Sequence, residues 1–146
     1  MKKRNLHHNM RVIRGHEKDP KMSELLLNVI EPLQKYVDFD DPDMFEKSVI
    51  FGIMAWNISL ETTKEAQKKQ LKHAVKSLIP WYAWNERRTL QDTLQMLLER
   101  KLELYPDVKR ILMDYNTVER KKGFQLDIVS IIIPDDPDFP EQDTNR

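Results

Sequence analysis

The stretch VIFGIMAWNI, residues 49–58, decides the fold of this chain. Apart from Gly52 and Asn57 every residue in it is apolar, and at about 100° per residue these side chains surround a helix axis. A helix that is apolar on all sides is buried by its neighbours. We therefore predict a central helix over residues 42–60, with the other helices packed against it.

Three further features of this helix follow from single residues. Asp41 and Pro42 mark its start, because aspartate caps a helix N-terminus and proline fits the first helical position. Gly52 predicts the close approach of a neighbouring helix, which would offset its poor helix propensity. Asn57 predicts a hydrogen bond from the helix to a neighbouring loop or backbone carbonyl, since a buried amide needs a partner.

Apolar residues at helical spacing predict three more helices. One begins near Ser23, a good N-cap, and is interrupted at Pro32. The next opens with Thr62 and Glu65, which have the spacing of a capping box. The last opens at Thr89, where a similar box has aspartate in place of glutamate.

Strand periodicity replaces helix periodicity after residue 106. Ile111, Met113 and Tyr115 alternate with their neighbours, and a second alternating run follows Gly123. Gly123 is expected to supply the positive φ of a short hairpin loop. We predict an α+β domain, mainly α, with about four helices around a buried central helix and a C-terminal β-hairpin at about 109–133 packed on one side.

Composition sets the limits of the domain. The chain has 146 residues, no cysteine and a formal net charge of zero, so disulfides and thiolate chemistry are excluded. We expect a flexible basic arm over residues 1–21, with residues 10–14 as a short edge strand, a single globular domain over 22–133 and a flexible acidic tail over 134–146.

The longest apolar stretch is far short of the ~20 residues of a membrane span. A cytoplasmic location is expected.

A lysine-rich helix face is the leading candidate for a binding surface. Residues 61–88 contain seven basic and three acidic residues. Cations beside aromatic side chains suit phosphate contacts and base stacking, although most basic helix faces are merely solvated. The candidate residues are Lys68, Lys69, Lys72, Lys76, Trp81, Trp84, Arg87 and Arg88.

Two residues in apolar surroundings are candidates for a small-molecule site. Lys101 falls within the apolar stripe of the last helix, where burial would lower its pKa. It could instead extend its charge to solvent or pair with Asp114 or Asp127. Asn57 could contact a ligand, although a structural hydrogen bond is the simpler interpretation.

Metal and nucleotide sites are not indicated. His7, His8 and His16 match no ligand spacing, and Glu99 and Glu103 lack the histidine partners of helical metal sites. With three glycines in the chain, a glycine-rich phosphate cradle is not available. No cofactor, metal or catalytic residue is predicted.

We therefore favour a non-enzymatic protein-interaction or regulatory module of unknown pathway. The apolar strand at residues 127–133 makes a second copy of the chain one candidate partner. The first alternative is a nucleic-acid accessory protein that binds through the lysine-rich helix face. The second is a small enzyme with an unrecognised pocket near Lys101 or Asn57.

Overall fold

The computed structural model describes residues 11–13, 21–78, 87–121, 123–134 and 136–137. In this part of the chain there are four α-helices and a three-stranded sheet, so the predicted α+β, mainly α class is confirmed. In chain order the elements are β1 (Arg11–Ile13), α1 (Met22–Ile30), a 3₁₀ helix (Glu31–Lys35), α2 (Pro42–Ile58), α3 (Lys64–Leu78), α4 (Arg87–Leu104), β2 (Arg110–Arg120) and β3 (Gly123–Ile132).

The central helix α2 is the helix that the sequence predicts. The Asp41 side chain accepts hydrogen bonds from the backbone N–H groups of Asp43 (2.9 Å) and Met44 (3.3 Å), and Pro42 occupies the first helical position. Val49 and Trp56 are fully buried. Helix α2 packs against the other three helices and against β2, so it is the structural hub of the described residues.

One side of α2 is less buried than predicted. Four residues on this side are only half-buried, and each lies three or four positions from others of the set: Ile50, Ile53, Met54 and Asn57. Asn57, at the end of this row, meets strand β2 through its side chain. The apolar pattern therefore overstates the burial of this side. The sequence shows which helix positions are apolar, but it does not show whether another element packs against them.

Gly52 lies where α1 crosses α2 closely. A Cβ atom built on Gly52 would overlap Ile30 Cγ2 and would approach Leu26 Cδ1 to 3.0 Å. Both neighbours are fully buried side chains of α1. The predicted reason for this glycine is thus confirmed. Helix α1 ends at Ile30 and continues as the 3₁₀ helix that contains Pro32, which confirms the predicted interruption.

The sheet has the strand order β1-β3-β2, with both pairings antiparallel. Arg120 pairs with Gly123 at the hairpin end, and Gly123 has a φ of 119°, so its predicted role in the loop is confirmed. The predicted alternation of β2 is wrong beyond Leu112, because a bulge lies between Leu112 and Asp114. Before the bulge, Leu112 is buried, whereas Ile111 is half-buried.

Structured residues extend past both predicted limits of the globular domain. Strand β1, which confirms the short edge strand, pairs with β3. Asp136, beyond the other limit, is 4% exposed.

The apolar run of β3 is covered within the chain, since Ile131 and Ile132 are buried in a strand that has a neighbour on each edge. That run therefore gives no reason to invoke a second copy.

Candidate interaction surface and buried polar cluster

Helix α3 begins one residue later than the predicted capping box implies. Thr63, not Thr62, is the capping residue, because its Oγ1 atom accepts a hydrogen bond of 3.0 Å from the Ala66 N–H. The Gln67 side chain adds a hydrogen bond of 3.2 Å to the backbone carbonyl of Glu61. The start of α3 is therefore fixed by local polar contacts.

The outer surface of α3 is strongly basic. Leu71, Ala74, Val75 and Leu78 are buried against the rest of the domain. The exposed side chains on the flank next to them form what we call the lysine face: Lys68, Lys69, Lys72 and Lys76. Lys64, also exposed, precedes this face in the first turn.

The charges of the lysine face are not neutralised within the described residues, where none of its four ammonium groups forms an ion pair. Two acidic residues of the segment 38–46 have other partners: Asp43 pairs with Lys47 at 3.5 Å, and Glu46 accepts a hydrogen bond of 2.7 Å from the Tyr115 hydroxyl. Four like charges thus share one helix flank. Their mutual repulsion destabilises the helix, and an anionic partner would relieve it.

The remaining candidates for this surface are only partly described. Arg87 and Arg88 are exposed in the first turn of α4. Helix α4 therefore begins two residues before Thr89, the predicted cap, which lies inside the helix. Trp81 and Trp84 lie outside the described residues.

Lys101 is buried, and its partners differ from those expected. The side chain is 1% exposed, and its Nζ atom donates a hydrogen bond of 2.9 Å to the backbone carbonyl of Val108. The same atom lies 4.9 Å from the centre of the Trp56 ring, where a cation is attracted to the ring face. The predicted route to solvent and the predicted pairing with Asp114 or Asp127 are both wrong.

Burial lowers the pKa of Lys101 to about 8, because desolvation disfavours the ammonium form. The nearby charge of Lys109 lowers this pKa further, whereas Asp136 and Asp107 raise it. The carbonyl of Val108 and the Trp56 ring supply the contacts that make the site tolerable for a cation. These contacts fix the turn between α4 and β2.

Asn57 and the neighbouring Trp56 attach α2 to the edge of the sheet. The Asn57 amide donates to the Leu112 carbonyl and accepts from the Leu112 N–H, both at 2.9 Å. The Trp56 indole donates a hydrogen bond of 2.8 Å to the Arg110 carbonyl. The amide side chain therefore replaces a strand neighbour at the edge of β2, which confirms the predicted structural role of Asn57.

A buried ion pair next to this cluster has no counterpart in the sequence predictions. Arg110 is fully buried, and its Nε atom lies 3.8 Å from Oδ2 of Asp136. The same oxygen accepts a hydrogen bond of 2.6 Å from the Lys109 N–H. This pair holds the segment after β3 against the start of β2. A lone aspartate in an acidic, proline-containing tail gives no sequence signal for it.

The other candidate groups do not form a site in the described residues. His73 is exposed on α3, and the side chains of Glu99 and Gln95 form a hydrogen bond of 2.8 Å on α4. Glu103 is exposed. No group of three or more potential metal ligands is present in this part of the chain. His7, His8 and His16 lie outside it.

A small open groove lies between the 3₁₀ helix, α2 and α4. Its volume is about 90 Å³, and its lining residues are Leu33, Val37, Lys47, Ser48, Phe51 and Thr93. Neither Lys101 nor Asn57 lines this groove. It therefore does not bring either candidate residue into contact with a ligand.

No protein-family model, curated protein or solved structure matches this chain. Among the described helices, none combines the length and the apolar composition that a bilayer crossing requires.

Proposed function

We propose that this protein is a non-enzymatic interaction module that binds an acidic surface of another protein through the lysine face of α3. The observation that supports this proposal most strongly is the set of four exposed lysines on one flank, without ion pairs among the described residues. An anionic partner would relieve their mutual repulsion. Charge complementarity of this kind sets partner choice and raises the association rate.

A protein partner is favoured over nucleic acid by the composition of the face. Sequence-specific readout of DNA pairs arginine or lysine with guanine and asparagine or glutamine with adenine, and the lysine face contains no amide and no guanidinium side chain. The whole chain has no net charge, so it lacks the long-range attraction for a polyanion that a basic domain has. Binding of nucleic acid is the alternative, with lysines contacting phosphates in a strongly salt-dependent manner.

A small enzyme built around Lys101 or Asn57 has the least support. Each side chain is already engaged in backbone hydrogen bonds that join α2, α4 and the start of β2. A nucleophile or ligand-binding group must instead direct its reactive atom to a cavity that admits substrate.

The proposal is tested by affinity capture from the native cell extract with three baits: the native protein, a Lys68→Glu/Lys72→Glu/Lys76→Glu variant and a matched control. The control carries three reversals at exposed basic residues outside α3, Lys21→Glu, Lys35→Glu and Lys121→Glu. Both variants change the net charge equally, so only the position of the charges differs.

We expect the lysine-face variant to lose at least nine-tenths of a specific protein partner that the native and control baits retain, with and without nuclease. A partner that is captured without nuclease but lost after nuclease treatment would favour the alternative that the lysine face binds nucleic acid. Equal capture by all three baits would contradict the proposal. A direct mobility-shift assay with DNA and RNA at low salt separates the two candidates independently, because phosphate-driven binding is strongest there.

A further inference from the structure

The outer edge of strand β2 is closed along its first half. There the Arg110 carbonyl is bound by Trp56, and the N–H and carbonyl of Leu112 are bound by Asn57. These backbone groups point away from β3, since they bond to α2. Helix α2 thus blocks this part of the edge to any other strand.

The second half of this edge is open. In an antiparallel ladder, residues alternate between facing the neighbouring strand and facing away from it. The Arg120–Gly123 pair closes the two-residue hairpin loop, so the residues that face away from β3 are Tyr115, Thr117 and Glu119. The Tyr115 N–H bonds to the Asp114 carboxylate (2.9 Å), and no other described strand pairs with this edge.

The open edge has little of the protection that edge strands usually carry. Exposed edges are commonly blocked by charged residues, above all lysine, by proline or by a bulge, and here only Asp114 and Glu119, at the two ends, are charged. The bulge of β2 precedes Asp114, and residues 114–119 contain neither lysine nor proline. This segment is a regular, mostly half-buried strand of about six residues. Apart from the Tyr115 N–H, its outward-facing backbone groups have no hydrogen-bond partner among the described residues.

From this edge we infer that β2 pairs with β2 of a second copy of the chain, antiparallel and centred on Thr117. This register places the outward-facing residues opposite one another: Thr117 meets Thr117, and Tyr115 meets Glu119. Three such pairs supply about four backbone hydrogen bonds, because the Tyr115 N–H of each copy is bound by Asp114. The two sheets then form one continuous six-stranded sheet about a two-fold axis.

The side chains of β2 are self-complementary in this register. Asp114 of one copy lies opposite Arg120 of the other, and the two-fold axis repeats this pair. In the single chain Arg120 donates two hydrogen bonds to Gln125 of β3, and Asp114 binds the Tyr115 N–H. On pairing, Arg120 therefore exchanges Gln125 for the carboxylate of the second copy, while Asp114 accepts from both groups. Opposite charges across strands contribute roughly 0.2–1 kcal/mol per pair.

The interface is small, so the dimer is expected to be weak. Strand pairs of this length bury less than the ~1,200 Å² of a standard interface, which is the size range of weak, transient contacts. This dimer does not involve the lysine face on α3. The dimer and the proposed function can therefore be refuted independently of each other.

Single cysteines test the register directly, because the chain contains none. In the proposed pairing, two Thr117→Cys residues lie opposite one another at a Cα distance of about 5.5 Å, which is within the disulfide range. Gln125→Cys is the control, being exposed on the inner strand β3. With oxidised glutathione, we expect at least tenfold faster formation of a covalent dimer from Thr117→Cys. Equal rates would overturn the inference.

Charge exchange tests the same register without cross-linking. Analytical ultracentrifugation of the native chain should show a concentration-dependent dimer, and Arg120→Asp should weaken it at least fivefold by placing two carboxylates together. The Asp114→Arg/Arg120→Asp double variant should restore it, because the pairs are re-formed in reverse. A monomer at all concentrations up to about 1 mM, or a dimer that the double variant does not restore, would overturn the inference.

Discussion

Replacing Asn57 with alanine should destabilise the protein more than any other substitution of a half-buried polar side chain in α2. The change removes two hydrogen bonds of 2.9 Å and leaves both backbone groups of Leu112 without their partner at the edge of the sheet. A lost hydrogen bond costs about 1 kcal/mol, and a buried group left unsatisfied costs about 1–3 kcal/mol. Because the site is half-buried and water can replace part of the loss, we expect about 3 kcal/mol in total.

Urea denaturation provides the measurement, with the midpoint and the slope m fitted separately. The expected result is a lower midpoint at unchanged m, which indicates a change in stability alone. Asn28→Ala is the matched control, because Asn28 is exposed and its side chain makes one hydrogen bond of 2.7 Å to the Tyr105 hydroxyl. That control should lose no more than about 0.5 kcal/mol.

A second variant separates the hydrogen bonds from the volume of the side chain. Asn57→Asp retains an acceptor for the Leu112 N–H but directs a carboxylate at the Leu112 carbonyl, so it should also be destabilising at pH 7. The reasoning is refuted if Asn57→Ala loses no more stability than Asn28→Ala.

Four further substitutions or conditions test the packing and the charges. Gly52→Ala should lower stability by about 1 kcal/mol despite its better helix propensity, because the added Cβ overlaps Ile30; chemical denaturation checks this. Asp136→Ala should cost about 3 kcal/mol by removing a buried counter-ion, seen as a lower melting temperature. Stability should rise with pH between about 8 and 10.5, where the unfolded chain binds more protons at Lys101, and Lys101→Met should flatten this rise in urea titrations. Tyr115, whose pKa burial and Glu46 raise to about 12, should make stability fall between about 10 and 12, and Tyr115→Phe should remove that fall.

The elements that the sequence predicts are those with strong local signals. Asp41 and Pro42 define the start of α2 because capping is a contact within one helical turn. Gly123 identifies the hairpin loop because few other residues adopt a positive φ. Gly52 indicates a close helix crossing, although the sequence does not say which helix crosses there.

The features that sequence reasoning missed depend on contacts between distant segments. The Arg110–Asp136 pair joins residues on either side of the hairpin, and no periodicity marks either one. The bulge after Leu112 reverses the face of the following residues, whereas an alternation rule assumes a regular strand. The partners of Lys101 are a backbone carbonyl and an aromatic ring, and neither is visible as an opposite charge in the sequence.

The candidate surface was predictable in part. Lysines spaced along one helix define an exposed flank once the buried stripe is known, and the exposed positions of Lys68, Lys69, Lys72 and Lys76 agree with that geometry. Whether acidic residues of the same chain cover such a flank depends on tertiary structure. Here Asp43 and Glu46 of the acidic segment 38–46 make other contacts, and no acidic residue in the described part of the chain pairs with the lysine face.

The central claim is that α2 is the hub on which the other elements pack, with the lysine face of α3 at the periphery. Native-state hydrogen exchange tests it most directly, because amides in the most stable core open only with global unfolding. We predict that the amides of residues 49–58 exchange most slowly among the helices, with free energies of opening equal to that of global unfolding, and that the lysine-face turns of α3 open more readily. Exchange of residues 49–58 as fast as that of α3 would contradict the account.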